Sequence, residues 1–215
     1  FWRCNRLGSD DIEIFTDEKR TDRMATLHHL RQQTPKPNDE DPNYCLADFI
    51  APPGHADYIG GFAVTAGNEI EHLLSEYDDD YSKIMIQALA DRLAEASAEA
   101  IHKHIRTKAW GYSENETLDY ESLIKEKYQG IRPAPGYPAC PEHSEKESLF
   151  EILEVTRNTG ITLTENYAMS PAASVSGWCF SHPDSKYFGV GKLNADQVED
   201  YANRKGLELS EAEQL

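Results

Sequence analysis

The chain is 215 residues long and carries 38 Asp and Glu against 21 Lys and Arg, a formal net charge of −17. That length can bury a real core as one large domain or two small ones, and 39% hydrophobic with 10% aromatic residues is too apolar for a disordered acidic chain. Binding to nucleic acid needs clustered Lys and Arg, which this charge disfavours, and no apolar run approaches the ~18 residues of a spanning helix.

In chain order, Asp11-Ile-Glu-Ile-Phe15 alternates like a half-buried strand, and Met24 to Leu30 fits a strand better than a helix. Pro35 to Pro42 is a polar, proline-rich loop. Cys45–Ile50 and Tyr58–Thr65 read as strands joined by Pro52-Pro53-Gly54, with Gly60-Gly61 marking a bulge or a close backbone approach. Asn68 to Tyr77 is a short helix. Asp80 caps a longer one running to about Thr107, with Ile86, Leu89, Leu93, Ala96 and Ala100 on one apolar face. Ser144-Glu-Lys-Glu147 has the form of a capping box and starts a helix that stops at Gly160. Strand-like runs return at Ile161–Thr164, Ser174–Phe180 and Tyr187–Val190, and Asn194 opens a last helix that Gly206 ends. Strands, helices and strands again, without regular βα alternation, predict an α+β fold with a mainly antiparallel sheet. No linker divides the chain, so 1–215 reads as one domain. The opening Phe1-Trp2-Arg3, without a methionine or a signal-like apolar segment, reads as a piece of a longer protein.

Cys4, Cys45, Cys140 and Cys179 are widely spaced with no C-x-x-C pair, which predicts reduced thiols in a cytoplasmic protein rather than disulfides or zinc. His28-His29 and His102-Lys103-His104 lack a second ligand pair, so no metal site is expected.

The segment Gly130-Ile-Arg-Pro-Ala-Pro-Gly-Tyr-Pro-Ala-Cys-Pro-Glu-His143 is odd for a connector. Its prolines stiffen the backbone, Gly136 permits a close approach, and Arg132 projects a planar fork suited to a carboxylate or phosphate. Tyr137 offers a ring face to a cation. The residues alone fit equally a rigid loop before a capped helix, with Arg132 in a routine ion pair.

This stretch resembles the R-x-x-x-G-Y signature of the C-terminal activation domain of cobalamin-dependent methionine synthase. His29–Gln33, Leu46–Pro52, Asp57–Gly60, Ala88–Glu95, Trp110–Tyr112, Ser174–Trp178 and Phe180–Phe188 agree with the same family, so the resemblance runs from about Arg20 to Lys205. It implies S-adenosylmethionine as ligand and reactivation of oxidised cobalamin as role, with a flavodoxin-type protein as electron donor. Cobalamin itself would be held by another module of the parent chain, because no D-x-H-x-x-G motif occurs in these residues. By the same resemblance Arg132 takes the methionyl carboxylate, Ala134, Gly136 and Tyr137 line the ligand, and Tyr187 and Phe188 form a second contact run. Glu95 and Glu126 match acidic positions near the ligand, although as residues they fit a solvated helix face as well. No residue is assigned a catalytic role.

The family domain starts with a further segment supplying an acidic ligand contact, which has no counterpart in this sequence, and Cys179 stands where an aromatic residue is expected. Tyr167–Ser174 is a candidate surface over the corrin, with ordinary packing as its alternative. Lys103, Arg106 and Lys108 form a basic cluster at a helix end, either a docking patch or a favourable response to the helix dipole. The isolated piece is not expected to turn over. Competing readings are an interaction module that caps cobalamin and docks a flavoprotein without binding a ligand, and a stand-alone methyltransferase, which the missing G-x-G-like loop after a strand disfavours.

Overall fold

The structure, a computed structural model, describes residues 1–36, 38 and 41–214, so positions 37, 39 and 40 of the expected proline-rich loop lie outside the described residues. In chain order the elements are β1 (Trp2–Leu7), β2 (Asp11–Phe15), β3 (Arg23–His28), β4 (Asp57–Thr65), α1 (Ile70–Ser75), α2 (Asp80–His104) and α3 (Tyr120–Ile124). They continue with α4 (Glu145–Ile152), α5 (Val155–Thr159), β5 (Thr162–Leu163), β6 (Met169–Ser170), β7 (Ser174–Cys179), α6 (Ala195–Lys205) and α7 (Leu209–Ala212). A five-stranded sheet of order β3-β2-β1-β4-β7 with separate helices makes this α+β, as the pattern predicts. Internal contacts divide the chain into two units, Phe1–Gly60 with Thr117–Glu145 and Trp178–Leu215, and Gly61–Glu116 with Lys146–Gly177.

In the first unit, β1 pairs antiparallel with β2, Arg3 opposite Phe15 through Leu7 opposite Asp11, and with β4, Trp2 opposite Ile59. Ile12 and Ile14 of β2 are buried, while Glu13 between them pairs with Arg23 of β3. Gly60 is a close-approach glycine: a Cβ there would stand 3.1 Å from the Cβ of Cys179 and from the ring of Phe1.

Two expected strands of this unit are something else. Residues 46–49 form a 3-10 turn. Asp48 explains it, because its carboxylate accepts the Cys45 N–H at 2.9 Å and both terminal nitrogens of Arg31, at 2.7 and 2.8 Å. A charged side chain satisfied locally outweighs the strand propensity of Cys45–Ile50. Residues 187–190 join no ladder either. The Val190 N–H donates to the carbonyl of Pro138, and the Gly189 carbonyl accepts from Gln32, so their main chain is spent on a loop and a side chain. Strand β1 and helices α3 and α7, none foreseen, complete the unit.

In the second unit α2 begins one residue earlier than predicted, with Asp79 as cap accepting the Ser82 N–H at 2.8 Å. Its buried edge is Ala90, Ala94, Ala98 and His102, whereas Leu89 and Leu93 are 56% and 59% exposed. The expected apolar face is therefore turned away from the packing, and a row of small residues at i, i+4 spacing lies inside. After His104 the helix widens into one π turn, Ile105–Ala109. This turns Arg106 inward, where its guanidinium pairs with Glu116 through two bonds of 2.7 Å. The predicted basic cluster is thus reduced to Lys103 and Lys108 at the surface.

The helix expected from Ser144 to Gly160 is broken at Glu154, whose φ is 48°. The break lets Phe150, Val155 and Ile161 face one apolar cluster, against which Met169 also packs. Ser144 directly precedes α4, and its hydroxyl donates to Glu142. All four cysteines are buried and free. Among the described residues no helix is long and apolar enough to cross a membrane, and no cluster of metal-ligating side chains occurs.

Candidate functional site

The loop 130–143 belongs to the first unit, and its rigidity has identifiable sources. Its start runs antiparallel to the end of β7: Ile131 and Phe180 exchange main-chain bonds of 3.1 and 2.9 Å, and the Trp178 N–H donates to the Pro133 carbonyl at 2.9 Å. Ile131, Trp178 and Phe180 are buried, so apolar burial reinforces the pairing. A tight turn follows, closed by Tyr137 N–H to the Ala134 carbonyl and Gly136 N–H to the Cys140 carbonyl. Gly136 has φ of 94°, a region that only glycine occupies without strain. The far end is fixed by Glu142, which is buried and accepts from Lys205 at 2.8 Å and from Tyr201 at 3.0 Å. Burial alone would raise the Glu142 carboxyl, but hydrogen bonds from Lys205 and Ser144 hold it below its ordinary value.

On this frame Arg132 and Tyr187 meet, although 55 residues separate them. The Arg132 N–H donates to the Tyr187 hydroxyl at 3.0 Å. Arg132 Nη1 donates to the hydroxyl of Tyr128 at 2.9 Å. Burial pushes the Tyr187 phenol up, so it stays a neutral donor and acceptor. Tyr128 was not foreseen from the sequence. The local signal is Gly130, whose φ of 85° lies in the region that glycine favours, between Tyr128 and Arg132.

The other expected residues are placed as follows. Ala134 is buried in the loop and Tyr137 is exposed at its tip. Phe188 lies next to Tyr187 but has different neighbours, packing against Leu30, Val190 and Tyr201 with its ring 5.9 Å from that of Tyr44. Glu126 is exposed at the end of α3, two residues before Tyr128, with φ of 52°. Glu95 is exposed on α2 and belongs to the second unit. Chemically, the planar guanidinium of Arg132 has the fork geometry that suits a carboxylate or phosphate.

The family model for the vitamin B12 dependent methionine synthase activation domain matches residues 1–206. A solved structure described as the MetH reactivation domain bound to AdoHcy matches with a TM-score of 0.95 at 58% sequence identity. The match takes in 99% of this chain and 66% of that one, so the chain spans just under two thirds of the matched domain's length. With the family model matching most of the chain and the fold in agreement, the chain belongs to the activation-domain family of vitamin B12 dependent methionine synthase, a methyltransferase.

Proposed function

We propose that the chain binds S-adenosylmethionine at the Arg132 loop and, as one activation domain over 1–215, serves the reactivation of cobalamin in a methionine synthase. The observation that carries the reading is Arg132 of a rigid loop hydrogen-bonded to both Tyr128 and Tyr187, in a chain whose solved relative is described as bound to AdoHcy. The residues fit such a ligand. Arg132 takes its carboxylate through two parallel hydrogen bonds. Ala134, Gly136 and Tyr137 line it with main-chain groups and one ring, and the missing side chain at Gly136 leaves the main chain free to approach. Tyr187 and Phe188 supply the second contact run, and Glu126 supplies negative charge toward the amine or the sulfonium. When bound, the ligand supplies a methyl group; the chain's own residues bind it, orient it and exclude competing geometries.

Cobalamin is assigned to another module of the parent chain, and the electron to a flavodoxin-type donor. Reduced, buried cysteines suit a cytoplasmic setting. The isolated chain is not expected to form methionine, since it matches the activation domain alone. Calorimetric titration with S-adenosylmethionine of the wild-type chain and Arg132→Ala tests the site. Binding by the wild type that weakens about tenfold to a hundredfold in the variant is expected, the worth of one charge-assisted hydrogen bond or bidentate pair. Equal affinities, or no binding at all, would overturn it, the second result favouring an interaction module without a ligand.

A further inference from the structure

We infer that Tyr128 is a positioning residue for the ligand site: it fixes the Arg132 guanidinium so that the fork is oriented before a carboxylate arrives. This rests on the reading of Arg132 as the carboxylate receptor. Two hydrogen bonds anchor Arg132 along the path from its main chain to its tip. The main-chain N–H donates to the Tyr187 hydroxyl, and Nη1 of the side chain donates to the Tyr128 hydroxyl. Anchored at both ends, the arginine side chain is restricted relative to its own main chain, which a single contact to the tip cannot do.

The anchors of the path are themselves rigid. Tyr128 is buried, so its ring has little freedom to follow a wandering guanidinium. Arg132 is held at its main chain between Ile131, bridged to Phe180, and Pro133, whose carbonyl accepts from Trp178. Arginine has some of the largest rotamer entropy of any side chain, and a receptor that has already lost it binds more tightly without any new contact to the ligand. Burial keeps the Tyr187 phenol neutral, so it orients the arginine without neutralising it. A carboxylate in place of Tyr128 would instead compete for the fork.

The test compares the wild-type chain, Tyr128→Phe and Arg132→Ala for binding of S-adenosylhomocysteine and of its decarboxylated analogue, with melting temperatures alongside. A phenylalanine keeps the buried ring and removes only the hydroxyl. Tyr128→Phe is expected to weaken S-adenosylhomocysteine about five- to twentyfold, less than Arg132→Ala does, because the hydroxyl acts on the ligand only through the guanidinium. It should leave the decarboxylated analogue within about twofold of wild type, because only the carboxylate reads the orientation of the fork. If Tyr128→Phe binds both ligands as wild type does while Arg132→Ala loses the carboxylate ligand, the positioning role is wrong and the site stands. If Tyr128→Phe loses both ligands equally and melts lower, the tyrosine is merely structural and the proposal fails. If Arg132→Ala binds as wild type does, or the wild type binds neither ligand, the site reading itself falls and takes the proposal with it. A readout without ligand is the nitrogen NMR spectrum of the guanidinium. Distinct, slowly exchanging Nη signals for Arg132 are expected in the wild type and averaged ones in Tyr128→Phe; averaged signals in both would overturn the proposal.

Discussion

The imidazole of His143 lies where a side chain on Gly136 would begin: an ideal Cβ there would stand 2.5 Å from its Cε1 atom. Two separate penalties thus guard this position, the steric contact and the φ of 94°. Gly136→Ala is expected to cost about 1–3 kcal/mol in urea denaturation and to weaken ligand binding. Adding His143→Ala should recover the steric part only. Full recovery in the double variant would mean that the backbone conformation is unstrained for alanine.

Arg132→Lys should fail to restore what Arg132→Ala loses in S-adenosylmethionine affinity, because an ammonium cannot reproduce two parallel hydrogen bonds. Both variants should melt close to wild type, since the loop is held mainly by the main chain and by Glu142. A melting temperature that drops sharply with unchanged affinity would identify Arg132 as a structural residue instead.

Arg106 and Glu116 form a bidentate pair with side chains 1% and 4% exposed. Removing one charge from a buried pair leaves the other without compensation, which typically costs about 3–5 kcal/mol. Glu116→Gln should lower the denaturation midpoint accordingly. A loss below about 1 kcal/mol would show that the guanidinium is satisfied without this carboxylate.

His29 is buried with neither ring nitrogen hydrogen-bonded. Burial lowers its pKa from 6.5 to about 4, with Asp11 opposing the shift and His28 and Arg204 adding to it. Below the unfolded pKa the unfolded chain takes up a proton that the folded chain refuses. The stability present above pH 6.5 is therefore lost as the pH falls toward 4, by at most about 1.4 kcal/mol per pH unit. His29→Leu cannot titrate, so its stability should fall less steeply across that window. Parallel profiles for the two proteins would exclude His29 as a source of the acid sensitivity.

On α2 the two sides should respond in opposite fashion to what hydropathy suggests. Leu93→Glu is expected to change the stability of this chain by no more than about 0.5 kcal/mol, whereas Ala94→Leu should cost about 1–3 kcal/mol by overpacking. Chemical denaturation of the two variants checks both values, and a reversed order would place the apolar face inside after all.

Much of the fold was legible before any coordinates. The alternation of Asp11–Phe15, the glycine after Lys205 and the turn residues around Gly136 are local signals, and local signals reach the chain directly through dihedral preferences and burial patterns. Leu89 and Leu93 show where such reasoning stops. Periodicity finds two faces on a helix, but packing distance selects between them, and here a row of alanines is the packed one. Likewise Cys45–Ile50 has the composition of a strand, yet Asp48 finds Arg31 across sixteen intervening residues of sequence and the local turn prevails.

The candidate site divides along the same line. Arg132, Ala134, Gly136 and Tyr137 were legible because they are consecutive along a loop whose prolines and glycine set its shape, and because that string resembles one family. That resemblance is also what named Tyr187 as a partner of the loop. Composition determined the acidic, globular character of the chain, and the order of its patterned segments determined its α+β class. What only the tertiary structure decided is that Tyr187 touches the arginine, that Tyr128 joins them, and that Arg106 is hidden from solvent. These relations depend on where the chain returns in space. A hydrogen bond between residues 55 positions apart leaves no trace in the local pattern of either, since it is formed by the rigid packing of the segments that carry them.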